Sequence, residues 1–105
     1  MGKKISRGPQ KSSTATGLNF SKSFRVLNTL GLHARAAALF VKLASRYKSE
    51  IQVSKGTNKV NGKSIMGILM LAAAKGSEIK VKTVGEDAKE ALHELGKLIE
   101  SGFGE

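Results

Sequence analysis

The chain has 105 residues, enough for one small domain near the lower end of the sizes that bury an adequate core unaided. It has no cysteine, which excludes a disulfide framework and a cysteine-based metal site and makes a reducing cytoplasm the expected compartment. The net charge is +10 and only five residues are aromatic, without a basic-aromatic stripe for stacking bases, so an acidic protein partner is expected rather than nucleic acid.

Two further exclusions concern metals and membranes. His33 and His93 are too far apart in sequence to give metal-ligand spacing, so no metal and no cofactor is expected. No apolar run approaches the length of about 20 residues that a membrane helix needs, so no membrane insertion is expected.

Residues 1–20 read as a disordered basic tail and residues 21–105 as the folded domain. Residues 1–19 hold Lys3, Lys4, Arg7 and Lys11 and no acid, whereas the remainder holds 14 basic and 8 acidic residues. Gly8 to Gly17 offers almost nothing to bury and lacks the apolar core of a secretory signal. Met1 to Ser6 fits the loose N-myristoylation pattern, which a solvated basic tail accounts for as well.

Phe24 to Asn28 alternates as a first strand, with Phe24 and Val26 toward the core. Asn28-Thr29-Leu30-Gly31 is then a loop. The helix formers after it predict a first helix from Ala34 to about Tyr47, with Ala36, Phe40, Leu43, Ala44 and Tyr47 as its buried stripe. Glu50 to Ser54 and Lys59 to Asn61 read as strands of a hairpin around the turn residues Lys55 to Asn58. Ser64 is placed to cap a short helix from Ile65 to about Ala73. In that helix Ile65, Ile68, Leu69 and Ala72 form the apolar face, and Met66 and Met70 lie off it.

Gly76 ends the second helix, and Glu78 to Val84 is the clearest strand, with Ile79, Val81 and Thr83 on one face. Gly85 breaks it. Glu86 and Asp87 then suit the start of a last helix with Ala88, Ala91, Leu92, Leu95, Leu98 and Ile99 as its core stripe. His93 falls off that stripe and is expected to be exposed without a role, and Ser101 to Glu105 to fray. The order β-α-β-β-α-β-α with one-sided alternation predicts an α+β domain of two layers.

His33 is the chemically suggestive residue. It falls at the amino end of the first helix, where unpaired N–H groups and the helix dipole favour an uncharged ring and hold an oxyanion. An uncharged imidazole is a nucleophile, and Arg35 adds a fixed positive charge two residues on. The backbone N–H groups of Ala34 and Arg35, with the Arg35 side chain, are the candidates to hold phosphoryl oxygens. Gly62-Lys63-Ser64 is a weak P-loop candidate, because the glycine required five residues before Gly62 is Thr57.

Gly31-Leu32-His33-Ala34-Arg35 resembles the active-site segment of the histidine-containing phosphocarrier protein (HPr) family of the bacterial phosphoenolpyruvate-dependent phosphotransferase system. Lys63-Ser64-Ile65-Met66-Gly67 resembles the family's second signature, and Gly85-Glu86-Asp87 before the terminal helix also fits. The similarity covers roughly residues 22 to 100. Ala36 departs from it, standing where the family usually has proline.

The resemblance implies an open-faced β-sandwich, a four-stranded antiparallel sheet with three helices on one face. It implies that His33 accepts a phosphoryl group at Nδ1 from phospho-enzyme I and donates it to an enzyme IIA-type domain, without independent turnover. It also implies regulatory phosphorylation of Ser64 by an HPr kinase/phosphorylase, with Ile65, Met66 and Leu69 as docking neighbours, in a monomeric protein. The alternatives at this stage are a regulatory paralogue of the nitrogen or catabolite-control branch, and a basic nucleic-acid-binding module.

Overall fold

In the computed structural model, which describes residues 18–105, four strands form one antiparallel sheet with spatial order β1-β4-β2-β3. The strands are β1 (Asn19–Arg25), β2 (Glu50–Lys55), β3 (Asn58–Asn61) and β4 (Glu78–Val84). The helices are α1 (Ala34–Ala44), α2 (Ile65–Met70) and α3 (Ala88–Glu100). The open-faced sandwich implied by the sequence is the architecture observed. Of the tail expected over residues 1–20, residues 1–17 lie outside the described residues, and Asn19 and Phe20 belong to β1.

Sheet register follows from which side chains need burial. Ile51 pairs with Thr83 and Val53 with Val81, and all four are buried beneath the helices. Their neighbours Gln52, Lys80 and Lys82 point to the opposite, open face and are exposed. A one-residue slip would exchange the two sets, so the apolar pattern specifies the pairing. Thr83 is the polar member of the buried face, and its hydroxyl donates to the Ala88 carbonyl at 2.8 Å, which ties β4 to the first turn of α3. The helix α3 packs on β1 and β4, while α1 packs on α2 and α3. Phe40, Ile68, Leu95 and Ile99 fill the space between the layers.

Three boundaries differ from the sequence reading. β1 begins at Asn19 rather than Phe24, and pairs with β4 along its whole length. Its polar Ser21 and Ser23 lie opposite Lys82 and Lys80 on the open face, where no apolar alternation is needed. Val26 is fully buried just past the strand, exchanging hydrogen bonds with Ser77 and Gly76.

α1 stops at Ala44. The N–H groups of Arg46 and Tyr47 turn back to Leu43 and Ala44, tighter i→i−3 bonds, and the Lys63 ammonium takes the Tyr47 carbonyl at 2.7 Å. α2 stops at Met70 because Ala72 adopts φ 50°, so Ala72 is exposed rather than part of the apolar face. That left-handed residue costs about 1 kcal/mol and turns the chain so that the Ala73 carbonyl accepts from Leu32 N–H at 2.9 Å.

The carboxyl end does not fray. Gly102–Gly104 form a 3₁₀ turn, and Phe103 is buried although its φ is 60°. Burying a phenylalanine side chain stabilises by about 2 kcal/mol, which exceeds the left-handed strain of about 1 kcal/mol.

Asp87 also does something other than favour its own helix. Its carboxylate makes no capping bond in α3 but accepts from Ser49 Oγ and from the backbone N–H groups of Lys48 and Ser49, each N–H at 2.9 Å. The Ser49 hydroxyl bond, then the Lys48 N–H, holds its carboxyl below the usual carboxylate range. Asp87→Ala is expected to lose about 2 kcal/mol at pH 7. A lowered folded pKa means that the wild-type advantage is complete above the unfolded value of 3.8 and is lost as pH falls through the lower folded value. Urea midpoints of the two proteins are therefore expected to differ at pH 7 and to draw together below pH 3.8; a gap independent of pH would contradict this role.

Candidate functional site at the amino end of the first helix

His33 is the N-cap residue of α1, with extended backbone at φ −81° and ψ −179°. Its N–H donates to the Gly31 carbonyl at 2.9 Å, and its own carbonyl accepts the first helical bond, from Ala37 N–H at 2.8 Å. The N–H groups of Ala34, Arg35 and Ala36 precede that bond and have no acceptor among the described residues. Three N–H donors are thus left without a partner at the helix start that carries the imidazole, as the geometry of a helix start requires.

His33 is partly exposed, Ala34 and Arg35 are exposed, and Ala36 is buried. Arg35 makes no ion pair among the described residues, so its guanidinium is available to an incoming anion. The His33 side chain does not cap its own helix, which leaves the ring free for chemistry.

The loop before His33 has little freedom. Gly31 has φ 67°, and a Cβ added there would lie 2.5 Å from the Ala73 carbonyl oxygen and 2.9 Å from Ala74 Cα. Only glycine permits this approach, which brings the segment after α2 against the loop. Leu32 is buried and bonded to Ala73, so His33 emerges from an anchored neighbour.

The second signature is placed differently from the first. The Ser64 hydroxyl accepts from Gly67 N–H at 3.0 Å and is the N-cap of α2, as its position in sequence indicated. Ile65 and Met66 beside it are exposed, Met66 at 67%, whereas Leu69 is partly buried. The carboxyl end of α2, not Ser64, is tied to the His33 loop. Ser64 therefore stands about 9 Å farther along, the rise of six helical residues.

Two large apolar residues near the site fall outside the expected docking set. Leu30, three residues before His33, is 68% exposed, and Met70 at the tied end of α2 is 75% exposed. An unpaired leucine inside an Asn-Thr-Leu-Gly turn was the signal for the first. Two surface depressions lie away from His33. One of about 540 Å³ sits on the open sheet face beside Gln52, Lys59 and Lys82, and one of about 340 Å³ sits between β1 and α3 beside Phe20, Lys22 and His93. Neither depression is lined by His33, and exposed Leu30 lies three residues before it in the chain.

Fold and site together define a small α+β domain that carries a partly exposed histidine at a helix start. A family model described as the PTS HPr component phosphorylation site matches residues 20–101. The phosphocarrier protein HPr of Neisseria meningitidis serogroup A is 52% identical over 84 residues, covering 80% of this chain and 94% of the relative. A crystal structure of HPr from Thermoanaerobacter tengcongensis superposes with a TM-score of 0.80 at 48% identity, over 82% of this chain and 97% of that one. An HPr dimer from the same organism superposes with a TM-score of 0.67 at 50% identity, over 78% and 94%. The chain belongs to the HPr family of phosphocarrier proteins of the phosphotransferase system.

Proposed function

We propose that His33 accepts a phosphoryl group from phosphorylated enzyme I and passes it to an enzyme IIA-type domain. The observation that carries the reading is the set of three unpartnered N–H groups, of Ala34, Arg35 and Ala36, beside the partly exposed imidazole. Family membership supports it.

The Nδ1 lone pair attacks phosphorus, an N–P bond forms, and the bond from phosphorus to the donor breaks, its electron pair leaving with the donor. The helix start and the Arg35 guanidinium hold the phosphoryl oxygens through the transfer, because the transition state spreads negative charge over the three equatorial oxygens. The phosphoramidate so formed is high in energy, so the group moves on to the second partner. Ala36 fits this chemistry: where a proline has no N–H, alanine supplies a further donor in the first turn.

Docking falls to the exposed Ile65 and Met66, with Leu69 supporting them from a partly buried position. Flexible, polarizable methionines suit a surface that meets two partners in turn. Ser64 is the site of regulatory phosphorylation by an HPr kinase/phosphorylase. The protein is a carrier without independent turnover, works in the cytoplasm and acts as a monomer, which sedimentation of the purified chain checks.

Incubation with phosphoenolpyruvate and enzyme I is expected to give an acid-labile, base-stable label that disappears in His33→Ala and that chases onto an enzyme IIA domain. A label retained in His33→Ala would overturn the reading. A basic nucleic-acid module would instead show salt-sensitive binding that survives the same substitution.

A further inference from the structure

The carboxyl-terminal turn reaches the loop that delivers His33. Gly102 lies against Asn28, with its added Cβ 3.8 Å from Asn28 Cβ, and buried Phe103 anchors the turn. Beyond Phe103 the Glu105 carboxylate accepts the Thr29 backbone N–H at 2.7 Å, across 76 residues of sequence. Thr29 stands next to Leu30, the exposed apolar tip, and four residues before His33.

The loop otherwise closes mainly on itself. Gly31 N–H donates to the Asn28 carbonyl, and the Asn28 amide Nδ2 donates to the Gly31 carbonyl. That second bond fixes which way the amide faces and leaves Asn28 Oδ1 buried without a partner among the described residues. A buried acceptor without a partner opposes the closed loop, so closure depends on bonds from outside. Two are present, Leu32 to Ala73 on the side of α2 and Thr29 to Glu105 on the side of α3.

We infer that Glu105 is a positioning residue for phosphoryl transfer. Its carboxylate pins the Thr29–Leu30 peptide and so sets the direction in which Leu30 projects beside His33. It touches no reacting atom and acts through the loop. This inference rests on the reading of His33 as the phosphoryl acceptor, and it adds Leu30 to the surface that enzyme I meets. Because the effect is on docking, it belongs in KM for enzyme I more than in kcat.

The full chain, Glu105→Ala and Glu105→Gln are compared by amide hydrogen exchange and by the kinetics of phosphorylation by enzyme I. Glutamine keeps an acceptor oxygen and alanine does not. In the alanine variant Thr29 exchange is expected to rise, and kcat/KM to fall about tenfold, mostly through KM. Glutamine is expected to restore both, with melting temperatures alike in all three. Equal kcat/KM in the wild type and the alanine variant overturns the inference, as does a glutamine variant that protects Thr29 yet transfers as poorly as alanine. A wild type that takes no label overturns the carrier reading and the positioning role with it, while Thr29 exchange, read in unphosphorylated protein, still reports the hydrogen bond.

Discussion

Gly31→Ala is expected to be the most damaging single-methyl change in the molecule. The new Cβ would meet the Ala73 carbonyl oxygen at 2.5 Å and Ala74 Cα at 2.9 Å, and both are backbone atoms that cannot swing aside. The φ of 67° adds left-handed strain of about 1 kcal/mol. Moving the loop away breaks the Leu32 N–H bond to Ala73, which leaves a buried pair apart at a further cost of about 2 kcal/mol. The sum is roughly 3 kcal/mol, a large share of the 5–15 kcal/mol typical of a small domain.

Function suffers more than stability, because His33 follows the displaced loop. Phosphoryl transfer is expected to fall about a hundredfold at a temperature where the variant is still folded, as a misplacement of about 1 Å does elsewhere. Urea unfolding and single-turnover transfer measure the two effects. Gly56→Ala is the control. Its φ is 60° but nothing lies within 4 Å of the added Cβ, so it carries the strain without the clash and is expected to leave transfer unchanged. Equal transfer in Gly31→Ala and the wild type would show that loop placement does not matter.

Ser64→Asp is expected to separate docking from folding. Aspartate is as good an N-cap as serine, so Gly67 N–H keeps an acceptor and the melting temperature stays within a few degrees. The introduced charge sits beside exposed Ile65 and Met66, where a partner would have to desolvate it without an opposite charge. A penalty of about 3 kcal/mol, roughly a hundredfold in kcat/KM for phosphorylation by enzyme I, is expected. Ser64→Ala is expected to transfer normally with a small loss of stability from the missing cap. Undiminished transfer in Ser64→Asp would remove this end of α2 from the docking surface.

The pattern of agreement between sequence and structure has physical causes. β4 reads correctly from Glu78 to Val84 because its alternation reflects one buried and one open face. The hairpin of β2 and β3 reads correctly because Gly56 supplies the positive φ that its turn needs. The beginning of β1 did not read as strand, since at the sheet edge exposed Lys22 takes the place between Phe20 and Phe24, opposite buried Val81, where an apolar residue would complete the alternation. The ends of α1 and α2 are decided by distant partners, Lys63 on the Tyr47 carbonyl and Leu32 on the Ala73 carbonyl, which local propensity does not register.

The same division holds at the site. The positions of His33 and Arg35 at the start of α1 and of Ser64 as the N-cap of α2 were legible because helix starts and caps are local features. The bond from Thr29 to Glu105 was not, because it forms only when residues 76 apart in sequence meet, and because a Gly-Phe-Gly-Glu end looks like a fraying one. Phe103 is the clue that local reading undervalues: a large apolar residue that close to the end stays exposed unless the turn folds back to bury it.

Phosphate mapping on the wild-type chain, after brief incubation with phosphoenolpyruvate and enzyme I, tests the central claim most directly. Fragmentation under neutral conditions is expected to place one phosphoryl group on His33, with phosphorus resonance typical of an Nδ1 phosphoramidate. A label found on His93 or on a hydroxyl residue instead, or a chain that stays unmodified beside a phosphorylated donor, would contradict it.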